Sequence, residues 1–465
     1  MRKCLSILLS LLFCAIRAAS HEPDQWSSET KNTVIVCDNG LEMFTWDLDF
    51  LSKAEHSVEA LVCFFGGSTG RDFLDAVEAR LEKAPDLQVH IIASPTLITP
   101  QDWNAIRRLQ IRFPERFHIE FSTQIAKLLP DITTIDNHVK LFIVDETYYS
   151  VGGTNFEEHH CSVGTFTPPQ KRGKEIEADF LLPAAMRDQD IVGRGPVAAQ
   201  LRKVFFEFYA LWKDYNKTKF LQEDPSQFHI NSHYFSVNGQ KPYVEQFEES
   251  ERRRDLKAES IRFLLGGPHQ TTNAITQEYV RLIRGAKEEI ILSHLYFFPV
   301  DPIFQALMDA VNRGVKLTLI TNGLAEGSSE GVKLFAWANR ISYVPMFYGS
   351  TYHLWDAHKV PTQPVKNTKI YEYNVPDVIL HKKMMLVDKR IFVVGSYNLG
   401  MKSAYGDYEL ILVIDSPKVA EDVLQIHRID LECSRQVSPH EACQWYFDPL
   451  IAYWGELQKR FSGFL

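Results

Sequence analysis

The sequence predicts an α/β fold made of two duplicated lobes. Three observations support this prediction: apolar strands alternate with amphipathic helices, the same order of elements occurs twice, and one polar motif occurs once in each half. Alternating strands and helices are typical of α/β sheets. Two copies of a long unit indicate a duplicated domain, because solenoids repeat a much shorter unit many times.

The first half shows the alternation from about residue 33 onwards. Residues 57–65 and 87–93 are predicted strands, and 71–83 between them has apolar side chains at helical spacing. A further strand is expected at 117–121. This order is typical of βαβ units, which predict a sheet with parallel strands.

The second half repeats this order. A helix is predicted at 279–286, a strand at 289–298, a helix at 301–313 and a strand at 315–321. Gly314 follows the second helix in the position where glycine favours helix termination. We therefore expect two lobes of the same architecture.

The N-terminus has the order of a secretory signal. Arg2 and Lys3 precede a short apolar run, and small residues at 18–20 follow it. The run is short for a membrane span, although an uncleaved anchor is the alternative. We therefore expect an exported chain that is secreted, periplasmic or held at a membrane by this segment.

The rest of the chain divides into three parts. We expect an N-terminal lobe at 21–215, a polar linker at 216–260 and a C-terminal lobe at 261–465, after a signal peptide at 1–20. The composition fits a soluble globular protein, with 45% apolar and 23% charged residues. The net charge of -9 argues against a nonspecific nucleic-acid binder, which would normally be basic.

The cysteines do not indicate a disulfide framework. Five remain beyond residue 20, and this odd, widely spaced set resembles neither a disulfide scaffold nor a zinc site. Cys433 and Cys443 are close enough in sequence to pair, and unpaired or buried thiols are the alternative.

Each half contains the same polar pattern within a predicted strand hairpin. A histidine is followed two residues later by lysine, five residues further by aspartate, and ten residues after that by asparagine. The two copies are His138, Lys140, Asp145 and Asn155, and His381, Lys383, Asp388 and Asn398. The apolar spacers place these polar groups on rigid strands, which favours a catalytic role.

This pair of motifs resembles the phospholipase D superfamily, which is defined by two such motifs. The resemblance covers about residues 33–435, and the motif wording is similar to that of cardiolipin synthase-like and bacterial phospholipase D-like proteins. It implies two α/β lobes related by a pseudo-twofold axis, with one active site at their interface. It also implies a reaction that needs no metal and no cofactor. Asp188 and Glu409, each eight residues before a proline, are the expected supporting acids.

The residue types suit cleavage of a phosphodiester. Lysines can stabilise the negative charge of the transition state, and Asn155 and Asn398 can donate hydrogen bonds to the phosphate. One histidine can attack phosphorus while the other protonates the leaving alcohol. The resemblance implies that His138 is the nucleophile and His381 the acid, although symmetry alone leaves this order open. Asp145 and Asp388 complete the catalytic motif, but their position beyond the strand favours a structural role.

An insertion follows the first motif and contains His159, His160 and a basic stretch at 171–174. It could form a metal or phosphate site, but we interpret it as a surface loop. The aromatic residues near the C-terminus are interpreted as packing residues, with a membrane-facing cluster as the alternative.

The expected function is therefore a phosphodiesterase of phospholipase D type, which cleaves or transfers a phospholipid head group through a phosphohistidine. The alternatives are a phosphatidyl transferase of cardiolipin synthase type and a nuclease. A phospholipid and a membrane surface are the expected partners. Nucleic acid is disfavoured because phosphate contacts usually need a basic surface.

Overall fold

The computed structural model describes residues 32–122, 125–129, 132–161, 185–219, 256–257, 260–267, 273–325, 330–350, 363–376 and 378–461. The predicted signal peptide, the basic stretch of the insertion and most of the predicted linker lie outside these residues. Within the described part of the chain, no helix has both the length and the apolar character that a membrane span requires.

The strands belong to two large sheets and two small ones. They are β1 (Thr33–Cys37), β2 (Ser57–Phe64), β3 (Gln88–Ser94), β4 (Phe117–Phe121), β5 (Ile125–Leu129), β6 (Ile132–Ile135), β7 (Leu141–Val144), β8 (Tyr148–Val151), β9 (Ala185–Arg187), β10 (Asp190–Arg194), β11 (Leu256–Lys257), β12 (Ser260–Gly266), β13 (Glu289–His294), β14 (Lys316–Asn322), β15 (Thr368–Tyr373), β16 (Val378–Leu380), β17 (Lys383–Val387), β18 (Ile391–Gly395), β19 (Glu409–Asp415) and β20 (Ser434–Val437).

The helices connect and cover these strands. They are Gly40–Ser52, Gly67–Lys83, Pro100–Arg112, Val197–Lys219, Ala274–Gly285, Asp301–Asn312, Glu330–Ile341, Tyr343–Tyr348, Met401–Tyr405, Pro417–Glu432, Pro439–Phe447 and Pro449–Phe461. The first helix of each lobe is capped by the asparagine that precedes it, Asn39 in one lobe and Asn273 in the other, whose side chain accepts backbone N–H groups of the first turn.

The two large sheets have the same topology. The first has the order β11-β1-β10-β8-β7-β2-β3-β4, and the second has the order β12-β19-β18-β17-β13-β14-β15-β20. Seven consecutive strands of one sheet therefore correspond to seven of the other. The predicted α/β fold with two duplicated lobes is confirmed.

The prediction of parallel strands holds for only part of each sheet. Strands β2, β3 and β4 are parallel neighbours, and so are β13, β14 and β15, whereas the other described pairs in these two sheets are antiparallel. The reason is the motif hairpin. Strands joined by a short turn must be antiparallel, because a parallel connection needs a long crossover. The strand predicted at 289–298 ends at His294, and Phe297 N instead donates to the side chain of Asn339 at 2.7 Å.

The lobes share an apolar core. One cluster of buried residues contains side chains from both large sheets and from the helices Val197–Lys219 and Pro417–Glu432. Trp212 and Phe205 are fully buried in it. Burial of a side chain such as Phe205 contributes about 1.5–3 kcal/mol, so this shared core holds the lobes in a fixed relation.

Two further sequence predictions concern the C-terminal region. The structure contains no disulfide between Cys433 and Cys443. Among the C-terminal aromatic residues, Tyr446 is buried, whereas Tyr453 and Trp454 are exposed. Packing therefore explains some of these residues and not others.

Candidate active site

A backbone bridge between the lobes positions His138. Tyr408 N donates to Asp136 O at 2.9 Å, and His138 N donates to Tyr408 O at 3.0 Å. These bonds form a parallel bridge between Asn137 and Tyr408. Because neighbouring residues in parallel segments advance together, Glu409 of the second lobe lies beside His138 of the first.

The second bridge is the pseudo-twofold counterpart of the first. Strand β9 of the N-terminal lobe pairs in parallel with β16 of the C-terminal lobe. The pairing continues with His381 N, which donates to Arg187 O at 2.9 Å. Asp188 therefore lies beside His381. Each histidine receives its acid from the opposite lobe.

Both histidines use Nδ1 to contact these acids. Nδ1 of His138 lies 3.0 and 3.1 Å from the carboxylate oxygens of Glu409. Nδ1 of His381 lies 2.8 and 3.0 Å from those of Asp188. A carboxylate accepts the Nδ1 proton, so Nε2 is the ring nitrogen that can act on a substrate, and at His381 it also lies near Lys383 Nζ. The structure thus brings together the four groups that the sequence predicted as two histidines and two supporting acids.

The lysines of the motif lie against the histidines. Lys140 Nζ donates to His138 O at 2.7 Å. Lys383 Nζ lies 2.8 Å from Nδ1 and 2.9 Å from Nε2 of His381. Burial lowers the pKa of Lys383 to about 7, and Asp188 opposes this shift. The two lysines concentrate positive charge where a phosphate would carry negative charge.

The two acids differ in charge. Burial raises the pKa of Glu409 to about 7, although Lys140 and two serine hydroxyls oppose it. Burial also acts to raise the pKa of Asp188, but His381, His160 and Lys383 outweigh it and hold that pKa well below its ordinary value. Asp188 is therefore an anion near neutral pH, whereas Glu409 is only partly ionised.

The pKa values of the two histidines shift in the same direction. Burial lowers the pKa of His138 well below its ordinary value, and Lys140, Lys383 and Lys402 lower it further. Burial also lowers the pKa of His381 well below its ordinary value, although the Asp188 carboxylate opposes this shift. The rings differ in the acid beside them, since Asp188 beside His381 is an anion whereas Glu409 beside His138 is only partly ionised.

The predicted phosphate-binding asparagines lie at the same place in each lobe. Asn155 is buried, and its Oδ1 accepts from Phe64 N at 3.0 Å. Asn398 is also buried, and its backbone N donates to Ser403 Oγ at 3.1 Å. Their donor role toward a substrate stays a prediction.

The interpretation of the insertion as a surface loop is wrong for His160. This side chain is 1% exposed, and its Nδ1 lies 2.7 Å from Asp188 Oδ2. The sequence contained a signal for this position. His160 follows Asn155 by five residues, as Ser403 follows Asn398, and Ser403 Oγ donates to Glu409.

The motif aspartates do not belong to the catalytic centre. The carboxylate of Asp145 accepts the backbone N–H groups of residues 55–57 at 2.7–2.8 Å. Asp388 likewise accepts those of residues 287–289. Both lie at the far end of a motif strand from the lysine, in hairpin turns with positive φ near 50°. Their inclusion in the catalytic set is therefore wrong, and the structural role favoured for them fits this geometry.

Asp388→Ala should leave turnover within about twofold of wild type and lower the free energy of unfolding by about 2 kcal/mol, since it removes a carboxylate that accepts three backbone N–H groups. Urea unfolding and steady-state kinetics measure these two quantities. A large loss of turnover in a variant that remains folded at the assay temperature would return Asp388 to the catalytic set.

His294 gives a pH-dependent prediction at the edge of the site. It ends β13 opposite Lys383, and burial lowers its pKa from 6.5 to about 3, with help from the Lys383 charge and against an interaction of the ring with the Met384 backbone. Below pH 6.5 the unfolded chain binds a proton at this residue before the folded chain does. Stability is therefore lost as pH falls.

Between pH 8 and pH 5, wild type should lose about 2 kcal/mol more unfolding free energy than His294→Leu does. Leucine keeps the buried volume and cannot titrate. Urea titrations of both proteins at several pH values measure the difference. Parallel curves would show that His294 does not titrate in this way.

Two groups of described side chains have the spacing of metal ligands. They are His160, Asp188 and His381, and His138, Asp407 and Glu409. In each group a lysine already lies near a carboxylate: Lys383 Nζ is 4.0 Å from Asp188, and Lys402 Nζ is 3.3 Å from Asp407. The expectation that no metal and no cofactor is needed stays a prediction.

Comparisons with known proteins agree with the motif resemblance. Residues 279–428 match the family described as cardiolipin synthase, PLD-like domain. Cardiolipin synthase A of Buchnera aphidicola subsp. Schizaphis graminum is 25% identical over 207 residues, and that of Pectobacterium carotovorum is 26% identical over 205 residues. Each match covers 44% of this chain and 36% of the relative, so the matched region is about a third of the relatives' length.

A solved structure extends the likeness to the whole fold. The phosphatidylserine synthase of Haemophilus influenzae Rd KW20 superposes with a TM-score of 0.59 at 13% identity, over 96% of this chain and 97% of that one. At this identity the likeness shows the fold alone. This fold, the two motifs, the acid that each histidine receives from the opposite lobe and the family model matched by residues 279–428 together support assignment to the phospholipase D superfamily.

Proposed function

We propose that the protein is a phosphatidyltransferase that moves a phosphatidyl group from a phospholipid to an alcohol through a phosphohistidine. One observation carries this proposal. Two histidines from different lobes are each held at Nδ1 by a carboxylate, and each has a lysine beside it. This arrangement provides a nucleophile, an acid and positive charge for the phosphate.

In the first half-reaction, Nε2 of His138 attacks phosphorus and the bond from phosphorus to the head-group oxygen breaks. The leaving oxygen takes the proton from Nε2 of His381. Glu409 keeps the Nδ1 proton of His138 in place, so that the lone pair on Nε2 points at the substrate. Lys140 and Lys383 stabilise the charge on the phosphoryl oxygens.

In the second half-reaction, His381 acts as the base. It takes the proton of the acceptor hydroxyl, whose oxygen attacks phosphorus and displaces Nε2 of His138. The enzyme returns to its starting protonation state. A lipid alcohol as acceptor yields a new phosphodiester, whereas water yields phosphatidic acid.

The electrostatic differences support His138 as the nucleophile. A nucleophilic histidine must be neutral, and burial and three lysines lower the pKa of His138. An acid must hold a proton, and although burial lowers the pKa of His381, the Asp188 anion beside it provides a countercharge for an imidazolium there. The order that the resemblance implied is thus supported by the charges around each ring.

The choice between transfer and hydrolysis rests on the relatives. The sequence predicted a phosphodiesterase of phospholipase D type that cleaves or transfers a head group, with a transferase of cardiolipin synthase type as one alternative. The matched family and the relatives are described as cardiolipin synthases, which supports the transferase. A nuclease remains the third candidate, but the net charge of -9 disfavours it.

The test offers the purified protein three labelled substrates side by side: phosphatidylglycerol, phosphatidylcholine and single-stranded DNA. We expect phosphatidylglycerol vesicles to yield diphosphatidylglycerol and free glycerol. Phosphatidic acid as the sole lipid product would favour the hydrolase. Cleavage of DNA without cleavage of lipid would reject the lipid proposal.

A further inference from the structure

A third histidine lies in the candidate active site. The ring of His160 is centred 4.7 Å from that of His381, at an interplanar angle of 85°. Its Nδ1 lies 2.7 Å from Asp188 Oδ2, so Asp188 contacts both His160 and His381. His160 therefore contacts Asp188, the carboxylate that we assign as the partner of His381.

The hydrogen bonds of Asn155 determine the tautomer of His160. Phe64 N donates to Asn155 Oδ1 at 3.0 Å, which fixes the orientation of the side-chain amide. Asn155 Nδ2 must then donate to His160 Nε2, at 3.1 Å. Since Nε2 accepts a hydrogen bond from Asn155, Nδ1 is the ring nitrogen that bears hydrogen and donates to Asp188.

The symmetry-related position in the other lobe uses different chemistry. Ser396 and Ser403 both donate to Glu409. In the first lobe, glycine at position 153 stands where the second lobe has Ser396, and a Cβ there would lie 2.4 Å from Asp188 Oδ1. Glu409, which has the longer acidic side chain, thus accepts from two short serine hydroxyls. Asp188, which has the shorter side chain, instead accepts from the longer imidazole side chain of His160.

We propose that His160 is a positioning residue, which holds Asp188 and Asn155 in place so that His381 acts as the general acid. This inference rests on the proposed function. It explains why the two histidines of a pseudo-symmetric site take different roles. The hydrogen bond from His160 Nδ1 fixes the Asp188 carboxylate without removing its charge, so an imidazolium at His381 keeps its countercharge.

Other charged groups around His160 are consistent with this role. Glu157 accepts the backbone N–H groups of His159 and His160 at 3.0 and 3.1 Å, which fixes the loop. Glu157 Oε1 lies 3.6 Å from His160 Nε2, and burial raises the pKa of Glu157. Lys383 faces Asp188 from the other side at 4.0 Å.

The test separates acid catalysis from a general loss of structure. A substrate with an alkyl leaving group needs a proton from His381, whereas p-nitrophenolate leaves without one. We therefore compare phosphatidylglycerol with phosphatidyl-p-nitrophenol, and measure release of the first product in a single turnover. His160→Ser, which imitates the other lobe, should slow glycerol release by about 10²-fold and nitrophenol release by less than about threefold.

Two further variants complete the design. His160→Asn keeps a donor at the δ position and should recover most of glycerol release, whereas His160→Gln should not. These two isosteric changes decide the question even when His160→Ser folds poorly. His159→Ser is the matched control in the neighbouring residue, and it should resemble wild type on both substrates.

Equal losses on both substrates in His160→Ser, or no loss on either, would overturn the positioning role. So would His160→Gln behaving like His160→Asn. The proposed function fails in a different way: wild type itself would then release neither glycerol nor nitrophenol.

Discussion

His138→Ala is expected to lower turnover by about 10⁴-fold or more and to abolish the phosphoenzyme. The reason is that Nε2 of His138 forms the bond to phosphorus, and no other described group holds an equivalent position beside Glu409. Rapid quenching with a substrate labelled in its phosphate group, followed by peptide mapping, measures both quantities. The label should be found on the peptide that contains His138 in wild type.

His381→Ala should behave differently from His138→Ala. Without the acid, an alkyl leaving group departs slowly, but phosphatidyl-p-nitrophenol should still phosphorylate His138. Without His381 as the base of the second half-reaction, that phosphoenzyme should persist, so the phosphate label should accumulate on His138. His440→Ala changes an exposed histidine and should match wild type. Label on His381 in wild type, or accumulation in His138→Ala instead, would reverse the assigned order.

The sequence was sufficient to predict the reacting groups. The motif places histidine and lysine two residues apart at the start of an apolar strand, so both reach the same end of the sheet. The spacing to a proline also identified Asp188 and Glu409. These predictions depend on local order along the chain, which a repeated motif reveals well.

The sequence could not show which acid serves which histidine. That pairing depends on the bridges β9–β16 and Asn137–Tyr408, which join segments of different lobes. The five-residue offset from Asn155 marks the position of His160 in the sequence, but its contact with Asp188, 28 residues later, depends on the fold of the intervening loop. Asp145 was misassigned for a related reason. Membership of a motif does not tell whether a side chain faces the site or the turn.

A buried ion network beside this site gives the second large prediction. Asp430 accepts from Arg187 Nε at 3.0 Å and also from Lys382 Nζ. Arg187 also donates to Asp38 at 2.7 Å. All four side chains are buried. The network links the lobes, because Asp38 and Arg187 belong to the N-terminal lobe and Lys382 and Asp430 belong to the C-terminal lobe. It also adjoins the active site, since Arg187 precedes Asp188 and Lys382 follows His381.

Asp430→Ala should lower the free energy of unfolding by about 3–5 kcal/mol, because it leaves Arg187 and Lys382 as incompletely paired cations in the core. The loss should extend to the reaction, since these two residues flank the contact between Asp188 and His381. Urea unfolding measures the first effect. Single-turnover release of glycerol from phosphatidylglycerol, below the unfolding transition, measures the second.

Asp415→Ala is the matched control for a carboxylate that pairs with an arginine at the surface. Arg390 Nε lies 2.5 Å from Asp415, and the side chains are 54% and 24% exposed. Exposed pairs contribute about 0–1 kcal/mol, because water screens both charges and solvates whichever remains. Equal losses in the two variants would mean that water reaches Arg187 and Lys382 once Asp430 is removed. The contact between Asp188 and His381 would then depend on the β9–β16 backbone pairing and the shared apolar core, with little contribution from the ion network.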